Sequence, residues 1–487
     1  MGHERRGDMY LGLDLGTTGL KAVLIDGERR LLAEATAPLS VSRPYPGWSE
    51  QDPAAWIRAA ETVLTALAAE RDLSALRGIG LSGQMHGAVL LDAADAVLRP
   101  CILWNDTRAH GQAAEMDADP RFRAVTGNIV FPGFTAPKLR WVADAEPRLF
   151  ASVAKVLLPK DYLRLWLTGA HVADMSDAAG TSWLDTGRRL WDERLLAATG
   201  LSVAQMPRLV EGSDVSGHLR PALAGRFGLT AGIPVAGGGG DNAATGVGMG
   251  VVRAGQAFVS LGTSGVLFAA NDAYAPAPET AVHTFCHALP DTWHQMGVIL
   301  SATDALNWYA GLVGEDAARL AISLGPLRAP GETLFLPYLG GERTPLNDAA
   351  IRGAFLGLAH ATDRAAAARA VMEGVTFAFC DCRDALAATG TRIDGLIATG
   401  GGARSDYWLA AIATALDCPV TLPVAGEFGA AYGAALLGLM AAEDVGAEIA
   451  EPPATARIIA PEASFTDAFR AGHARYCKAR TAIQGLT

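Results

Sequence analysis

A glycine–threonine turn occurs twice in this chain, as LGTTG at 15–19 and as LGTSG at 261–265. The surroundings match as well. LGLDLGTTGLKAVLID (11–26) and AFVSLGTSGVLFAAND (257–272) each read as an apolar strand, a tight turn and a second apolar strand closing on an acidic residue. One glycine hairpin is commonplace. Two copies at matching offsets are an internal repeat, and they predict two halves that each open on the same hairpin.

Length agrees with two halves, because 487 residues exceed the roughly 250–300 at which a single core stops growing. Strands alternate with helices in both halves, so the fold class is α/β. The division is expected at 251/252, giving domains 9–251 and 252–487. In the first, LLAEATAPL (31–39) reads as a third strand. DPAAWIRAAETVLTALAAE (52–70) reads as a helix with Asp52 as N-cap and Pro53 at its first position. RGIGLSGQMHGAVLLD (77–92) reads as strand, glycine loop, strand, with helices following near 107–117 and 136–145. In the second, helices are expected at 363–390, 425–443 and 465–481, and a strand begins at 394. The small residues of 429–435 suit either close packing across a hinge or ordinary tight core.

The net charge of −11 argues against nucleic acid or an anionic membrane as main partner. A local nest of N–H groups still binds an anion in an acidic protein. The first ten residues, MGHERRGDMY, lack an apolar run, so no signal peptide is expected, and the location read from the sequence is cytoplasmic. Of six cysteines only Cys380 and Cys382 are close. Without a C-x-x-C pair, neither a zinc site nor a disulfide framework is expected.

No Walker P-loop is present, and GVGMG (246–250) does not fit the dinucleotide fingerprint. The duplicated turn supplies another route to phosphate: glycines expose successive amides and threonine adds a hydroxyl. Two such turns, one per half, would clamp the phosphates of one nucleotide from opposite walls of a cleft. The first copy has Asp14 at the strand end and the second has Ser260, so one carboxylate is placed for Mg²⁺. Lys21 reads as solvated or packed by its stem.

These motifs together resemble the superfamily of sugar kinases, Hsp70 and actin, and within it the FGGY carbohydrate kinases. GGGGDNAATG (237–246) is similar to the family's catalytic loop and ATGGGARSDYW (398–408) to its adenosine loop. GFTAPKLRW (133–141) resembles its first signature, and PYLGGERTP (337–345) a loop of bacterial pentulose kinases. VSRPYPGWSEQDP (41–53), GLSGQMHGAVLLD (80–92) and RPCILWNDTRA (99–109) are closest to members acting on D-xylulose. Ala145, Ala366 and Ala367 depart from the signatures. The resemblance implies two duplicated ribonuclease-H-like domains around a central cleft. It implies ATP and Mg²⁺ as cofactors, a small sugar as partner, a possible homodimer, and phosphorylation of D-xylulose at C5. The alternative is a related ketose or polyol such as ribulose or L-xylulose.

Carried onto this sequence, the resemblance makes Asp241 the catalytic base, where the residue alone reads as a helix N-cap. Asn242 is either a sugar contact or a capping group. Asp14 either orients Mg²⁺ or forms the strand-end turn. Thr17, Thr18, Gly262, Thr263 and Ser264 face phosphates or simply make hairpins. Met85 and His86 touch the sugar, where a lone histidine by itself reads as structural. Trp104 stacks on the sugar or fills core, and Asp106 binds sugar hydroxyls or pairs with Arg108. Gly401, Gly402 and Ala403, with Asp406, form the adenosine platform; the plainer reading is a strand-to-helix turn capped by Ser405 or Asp406.

Overall fold

The computed structural model describes residues 7–424 and 429–484. They form two compact units. One takes the described residues up to Val252, together with Phe285–Trp293 and the stretch that carries helix Ala430–Glu443 and ends at Pro452. The other takes Arg253–Thr284, the chain from His294 through strand Val420–Pro423, and everything described from Pro453. The expected single division at 251/252 therefore needs a correction. The chain does leave the first unit at Val252, but it returns twice.

The first unit is built on a mixed seven-stranded sheet. Met9–Leu15 and Gly19–Asp26 form the expected hairpin, and Leu31–Pro38 extends it antiparallel. On the other side Met9–Leu15 runs parallel to Leu76–Gly83, which in turn runs parallel to Pro234–Ala236; Val215–His218 closes that edge antiparallel. Helix Pro53–Glu70 covers one face. Asp52 caps it by accepting from Ala54 N, Pro53 starts it, and Trp56, Val63 and Leu67 are buried beneath it. The apolar residues recur at helical spacing, so that stripe must be buried.

Helix Ala430–Glu443 packs on the same sheet at very short range. A Cβ on Gly12 would stand 1.9 Å from the Ala431 carbonyl oxygen, and one on Gly80 only 1.7 Å from that of Ala434. These two strand glycines, level with each other in the sheet, clear a floor for the helix. The small residues of 429–435 thus serve tight packing inside this unit. The helix returns from late in the sequence to a floor that its stripe of Ala and Gly matches.

The second unit repeats the plan. Gly255–Leu261 and Gly265–Asn271 form the hairpin, Gly255–Leu261 runs parallel to Ile393–Thr399, and that strand runs parallel to Val420–Pro423. Thr455–Ile459 closes the edge antiparallel. Its sheet also has seven strands, with helices Arg364–Ala387, Asp406–Leu416 and Thr466–Ile483 enclosing the core. The order of hairpin, parallel, parallel and antiparallel edge is shared by both units, so the sequence repeat is a repeat of topology.

The two hairpins differ in register. Leu15 pairs with Leu20, leaving Gly16–Gly19 as the turn, whereas Leu261 pairs with Gly265, leaving Gly262–Ser264. Register in a hairpin follows turn length, so the copies present different side chains beside the turn. Asp14 stands opposite Lys21, but Ser260 stands opposite Val266.

Candidate functional site

In the first unit, three loops converge at the carboxyl ends of the central strands. The Gly16–Thr18 turn holds its own shape through carbonyls: Thr18 O accepts from Leu39 N. Among the described residues, none of the amides of Gly16, Thr17 and Thr18 donates to a backbone carbonyl. The turn therefore presents amides rather than oxygens, as an anion requires. Thr18 is exposed. Thr17 is held by side chains: its hydroxyl donates to Gln84 Oε1 at 2.9 Å and accepts from Trp104 Nε1 at 2.9 Å. Gln51 Nε2 donates to Thr17 O at 2.7 Å, and Gln84 Nε2 donates to Gln51 Oε1 at 3.1 Å. The Thr17 hydroxyl proton is thus spent on Gln84, and the residue offers its amide to an anion.

Asp14 lies at the strand end level with Ser82, and Ser82 is level with Gly239. Three strand positions at the usual spacing put the Asp14 and Gly239 backbones about 10 Å apart. Asp241 follows two residues after Gly239 as the first residue of helix Asp241–Gly248; Gly240 is the N-cap. The N-cap reading of Asp241 is thereby corrected. Its Oδ1 accepts from Asn242 N at 2.7 Å and from Asn242 Nδ2 at 3.0 Å. Burial raises the Asp241 carboxyl above its ordinary range, against the two Asn242 bonds that lower it.

The loop that delivers Asp241 is fixed from below. Arg164 is fully buried, and its guanidinium donates to Ala236 O at 2.6 Å and Gly237 O at 2.5 Å. Ser176 Oγ accepts from Gly240 N at 3.0 Å and donates to Asp174 Oδ1 at 2.5 Å. Asp174 Oδ2 meets Lys160 Nζ at 2.5 Å, and the same ammonium reaches Asp161 and Asp177 at 2.7 and 3.0 Å. Burial works against the Lys160 charge, yet the three carboxylates outweigh it and hold its pKa above the ordinary value. Burial, with Asp174 and Asp161 nearby, pushes the Asp177 carboxyl up against the pull of Lys160.

The Met85–His86 loop lies directly against this element. A Cβ on Gly240 would come within 2.8 Å of Met85 Cγ and Sδ, which explains the glycine before the aspartate. His86 adopts a left-handed backbone at φ +69°, a conformation few non-glycine residues hold without support. The support is present. His86 O accepts from Lys138 Nζ at 2.8 Å and Thr135 Oγ1 at 3.2 Å. Its ring stacks on Phe134 at 4.5 Å, and Nδ1 meets Gly180 O at 2.8 Å. A carbonyl accepts, so Nδ1 carries the proton, and in a neutral ring Nε2 is then the acceptor. Burial pushes the Lys138 ammonium down to about 7. The stretch GFTAPKLRW is therefore the brace of the His86 backbone.

Trp104 is 47 % exposed, so the core-filling alternative is wrong for it. Asp106 is resolved the other way. It is buried, and its oxygens take Arg108 Nε at 2.9 Å, Arg108 Nη2 at 2.7 Å and Ser49 N at 2.6 Å. That carboxylate is engaged on both oxygens, which corrects its assignment as a sugar contact. It holds the loop beneath Trp104. Lys21 is paired with Glu34 at 3.1 Å.

In the second unit the Gly262–Ser264 turn is built alike. Gly262 O accepts from Thr303 N at 2.9 Å and Thr303 Oγ1 at 2.8 Å, and Thr263 O accepts from Ala302 N at 2.8 Å. The amides of Gly262, Thr263 and Ser264 donate to no backbone carbonyl among the described residues, and Thr263 and Ser264 are exposed. Gly400, at φ +88°, turns the chain against Leu261. A Cβ on Gly402 would stand 2.8 Å from Leu261 Cβ, whereas one on Gly401 would meet nothing. Gly401–Arg404 is thus a short open ledge beside the turn, with Ala403 buried beneath it. Ser405 caps the following helix through Trp408 N. Asp406 is exposed and ion-paired to Arg457, so its carboxylate faces a protein cation.

Family comparisons divide the chain as the repeat does. The model of the N-terminal domain of the FGGY family of carbohydrate kinases matches residues 9–248, and that of the C-terminal domain matches 257–442. This chain belongs to the FGGY family of carbohydrate kinases. It is 48 % identical to the xylulose kinase of Escherichia coli (strain K12), over 89 % of this chain and 90 % of that one. The solved structure of a xyloylose kinase from Brucella ovis is 62 % identical, with a TM-score of 0.97 over 98 % of this chain and 100 % of the other. That of xylulose kinase from Rhodospirillum rubrum is 29 % identical, with a TM-score of 0.92 over 98 % and 99 %.

An FGGY kinase uses ATP as phosphoryl donor and a carbohydrate as acceptor, and the two amide-presenting turns match that need. Sequence reasoning passed over Gln51, Gln84, Lys138, Arg164 and Ser176. Each touches a backbone group or side chain far along the chain, and no local pattern marks such a pairing. A weak signal existed for Gln51, Gln84 and Lys138, which lie inside the quoted motifs.

Proposed function

We propose that this protein transfers the γ-phosphoryl group of ATP to the C5 hydroxyl of D-xylulose, giving D-xylulose 5-phosphate and ADP in the cytoplasm. The named relatives support the substrate. The observation that carries the reading is the packing of Met85 on Gly240, which sets the sugar loop beside the aspartate.

In this reading Asp241 accepts the C5 hydroxyl proton as that oxygen attacks the γ-phosphorus. Asn242 occupies Oδ1, leaving Oδ2 for the substrate proton. A carboxyl raised by burial is a stronger base than an ordinary aspartate. His86 Nε2 accepts from a sugar hydroxyl, and Trp104 covers the sugar ring or chain with its exposed face. The amides of Gly16–Thr18 and of Gly262–Ser264 bind phosphate oxygens, and the Gly401–Ala403 ledge takes the adenosine. Asp14 suits Mg²⁺ by chemistry, a carboxylate at a strand end among phosphate-binding amides. When bound, the ion neutralises phosphate charge.

The test is ADP release with ATP and Mg²⁺ across D-xylulose, L-xylulose, D-ribulose, L-ribulose, glycerol and no sugar. A kcat/KM clearly highest for D-xylulose supports the assignment. A maximum at another ketose or polyol overturns the substrate and retains the kinase.

A further inference from the structure

The second unit holds a cluster that phosphoryl transfer does not use. Helix Thr466–Ile483 carries His473 and Cys477 four residues apart, hence on one face. Helix Arg364–Ala387 brings Asp381 against them. His473 Nε2 lies 2.9 Å from Asp381 Oδ1, Cys477 Sγ lies 3.4 Å from His473 Nε2, and Sγ lies 3.6 Å from Oδ1.

Those separations are close to the edges of a coordination tetrahedron. Bonds of about 2.0 Å to nitrogen and oxygen and about 2.3 Å to sulfur hold tetrahedral ligands about 3.3–3.6 Å apart. Two edges already fit, and the His473–Asp381 edge needs to open by a few tenths of an ångström. Outer groups stand nearby. A metal-binding histidine usually directs its second ring nitrogen to a carboxylate; Asp384 Oδ2 lies 4.0 Å from His473 Nδ1 and has to close by about 1 Å to make that bond. Arg480 holds the other oxygen of Asp381, which aims Oδ1 at the cluster. Cys477 is half-exposed, whereas the other five cysteines are buried, so an ion has a route in.

We propose that Asp381 Oδ1, His473 Nε2 and Cys477 Sγ form a zinc-type site of three protein ligands with one position left for water. Thiolate and imidazole select a borderline-soft ion over Mg²⁺, which prefers an all-oxygen shell. Occupancy therefore does not compete with the nucleotide's metal. Binding releases the thiol proton and the proton that His473 Nε2 directs at Asp381 Oδ1, and the ion ties the C-terminal helix to the long helix of the core. The sequence hid the site because its ligands come from two segments and no C-x-x-C accompanies them.

The test uses the full-length protein, stripped with chelator and returned to excess Mg²⁺. Titration with Co²⁺ should give one equivalent bound with a thiolate-to-cobalt charge-transfer band, displaced by Zn²⁺. Zn²⁺ should also protect Cys477 from iodoacetamide, read by peptide mass spectrometry. Cys477→Ser should abolish the band, and both it and His473→Gln should weaken Zn²⁺ binding at least about tenfold. Metal-free melting temperatures of the variants establish that they fold. A wild-type protein with no thiolate–cobalt band, or Zn²⁺ affinity equal in wild type and both variants, overturns the proposal and leaves a hydrogen-bonded cluster only.

Discussion

Replacing Ser176 with alanine separates the placement of the Asp241 loop from the chemistry of Asp241. Ser176 is fully buried, accepts from Gly240 N and donates to Asp174. Alanine fills nearly the same space and makes neither bond. Asp174 Oδ1 keeps the amides of Ser176 and Asp177, so its loss is modest. The Gly240 amide is left buried without its acceptor, which costs about 1–3 kcal/mol. In a unit of this size each kcal/mol is worth roughly 2 °C, so Tm should fall by about 2–6 °C. Gly240 is the N-cap of the helix that begins with Asp241. A displacement of about 1 Å there should lower kcat on the order of a hundredfold. KM for ATP should change little, since the amide-presenting turns are untouched. Thermal melting and a coupled ADP assay at saturating sugar read both effects. A variant with wild-type Tm and wild-type kcat would refute the claim that Ser176 positions the loop.

Further outcomes follow from the same geometry. Trp104→Phe keeps an aromatic face but removes the bond to Thr17. It should cost no more than about 1.5 kcal/mol of stability while lowering kcat/KM, and equal kinetics would remove Trp104 from the site. Gly433→Ala places a Cβ 1.8 Å from Ala244 O, where only backbone movement makes room. It should cost about 3 kcal/mol or more, and a soluble variant melting like wild type would contradict the packing. Burial raises the Glu342 carboxyl to about 8. The folded state then binds the proton more tightly than the unfolded chain, so this contribution is full below about pH 4.5 and is lost as pH rises toward about 8. Glu342→Gln should therefore gain Tm relative to wild type as pH rises from 5 to about 9, and a gap that stays constant would contradict it.

The local half of this account was legible in the sequence. The hairpins, the Asp52 cap and the glycine loop ahead of Asp241 each follow from residue types at short spacing, where sterics and hydrogen bonding act within a few residues. The family resemblance supplied the roles of Asp241 and Asp14. What could not be read depends on partners far along the chain. Asp106 reads equally as a sugar contact or as a partner of Arg108, and only the fold adds Ser49 N to Arg108 so that both oxygens are engaged. Asp241 reads as a cap because aspartate favours that position, but the helix starts at Asp241 and Gly240 is its cap, a glycine because Met85 packs on it. The return of helix Ala430–Glu443 to the first sheet was foreshadowed by Gly12 and Gly80 in otherwise apolar strands. A glycine inside a strand marks a close neighbour without naming it.

The central claim is that a half-buried, loop-anchored Asp241 removes the proton from the sugar hydroxyl. Asp241→Asn keeps the size of the side chain and an acceptor oxygen for Asn242, and removes the base. Single-turnover phosphorylation of D-xylulose by wild type and variant at matched saturation is the most direct measurement. The account predicts a rate lower by about 10²–10⁴-fold with Tm and ATP binding close to wild type. A variant that phosphorylates D-xylulose at a rate near wild type would contradict it.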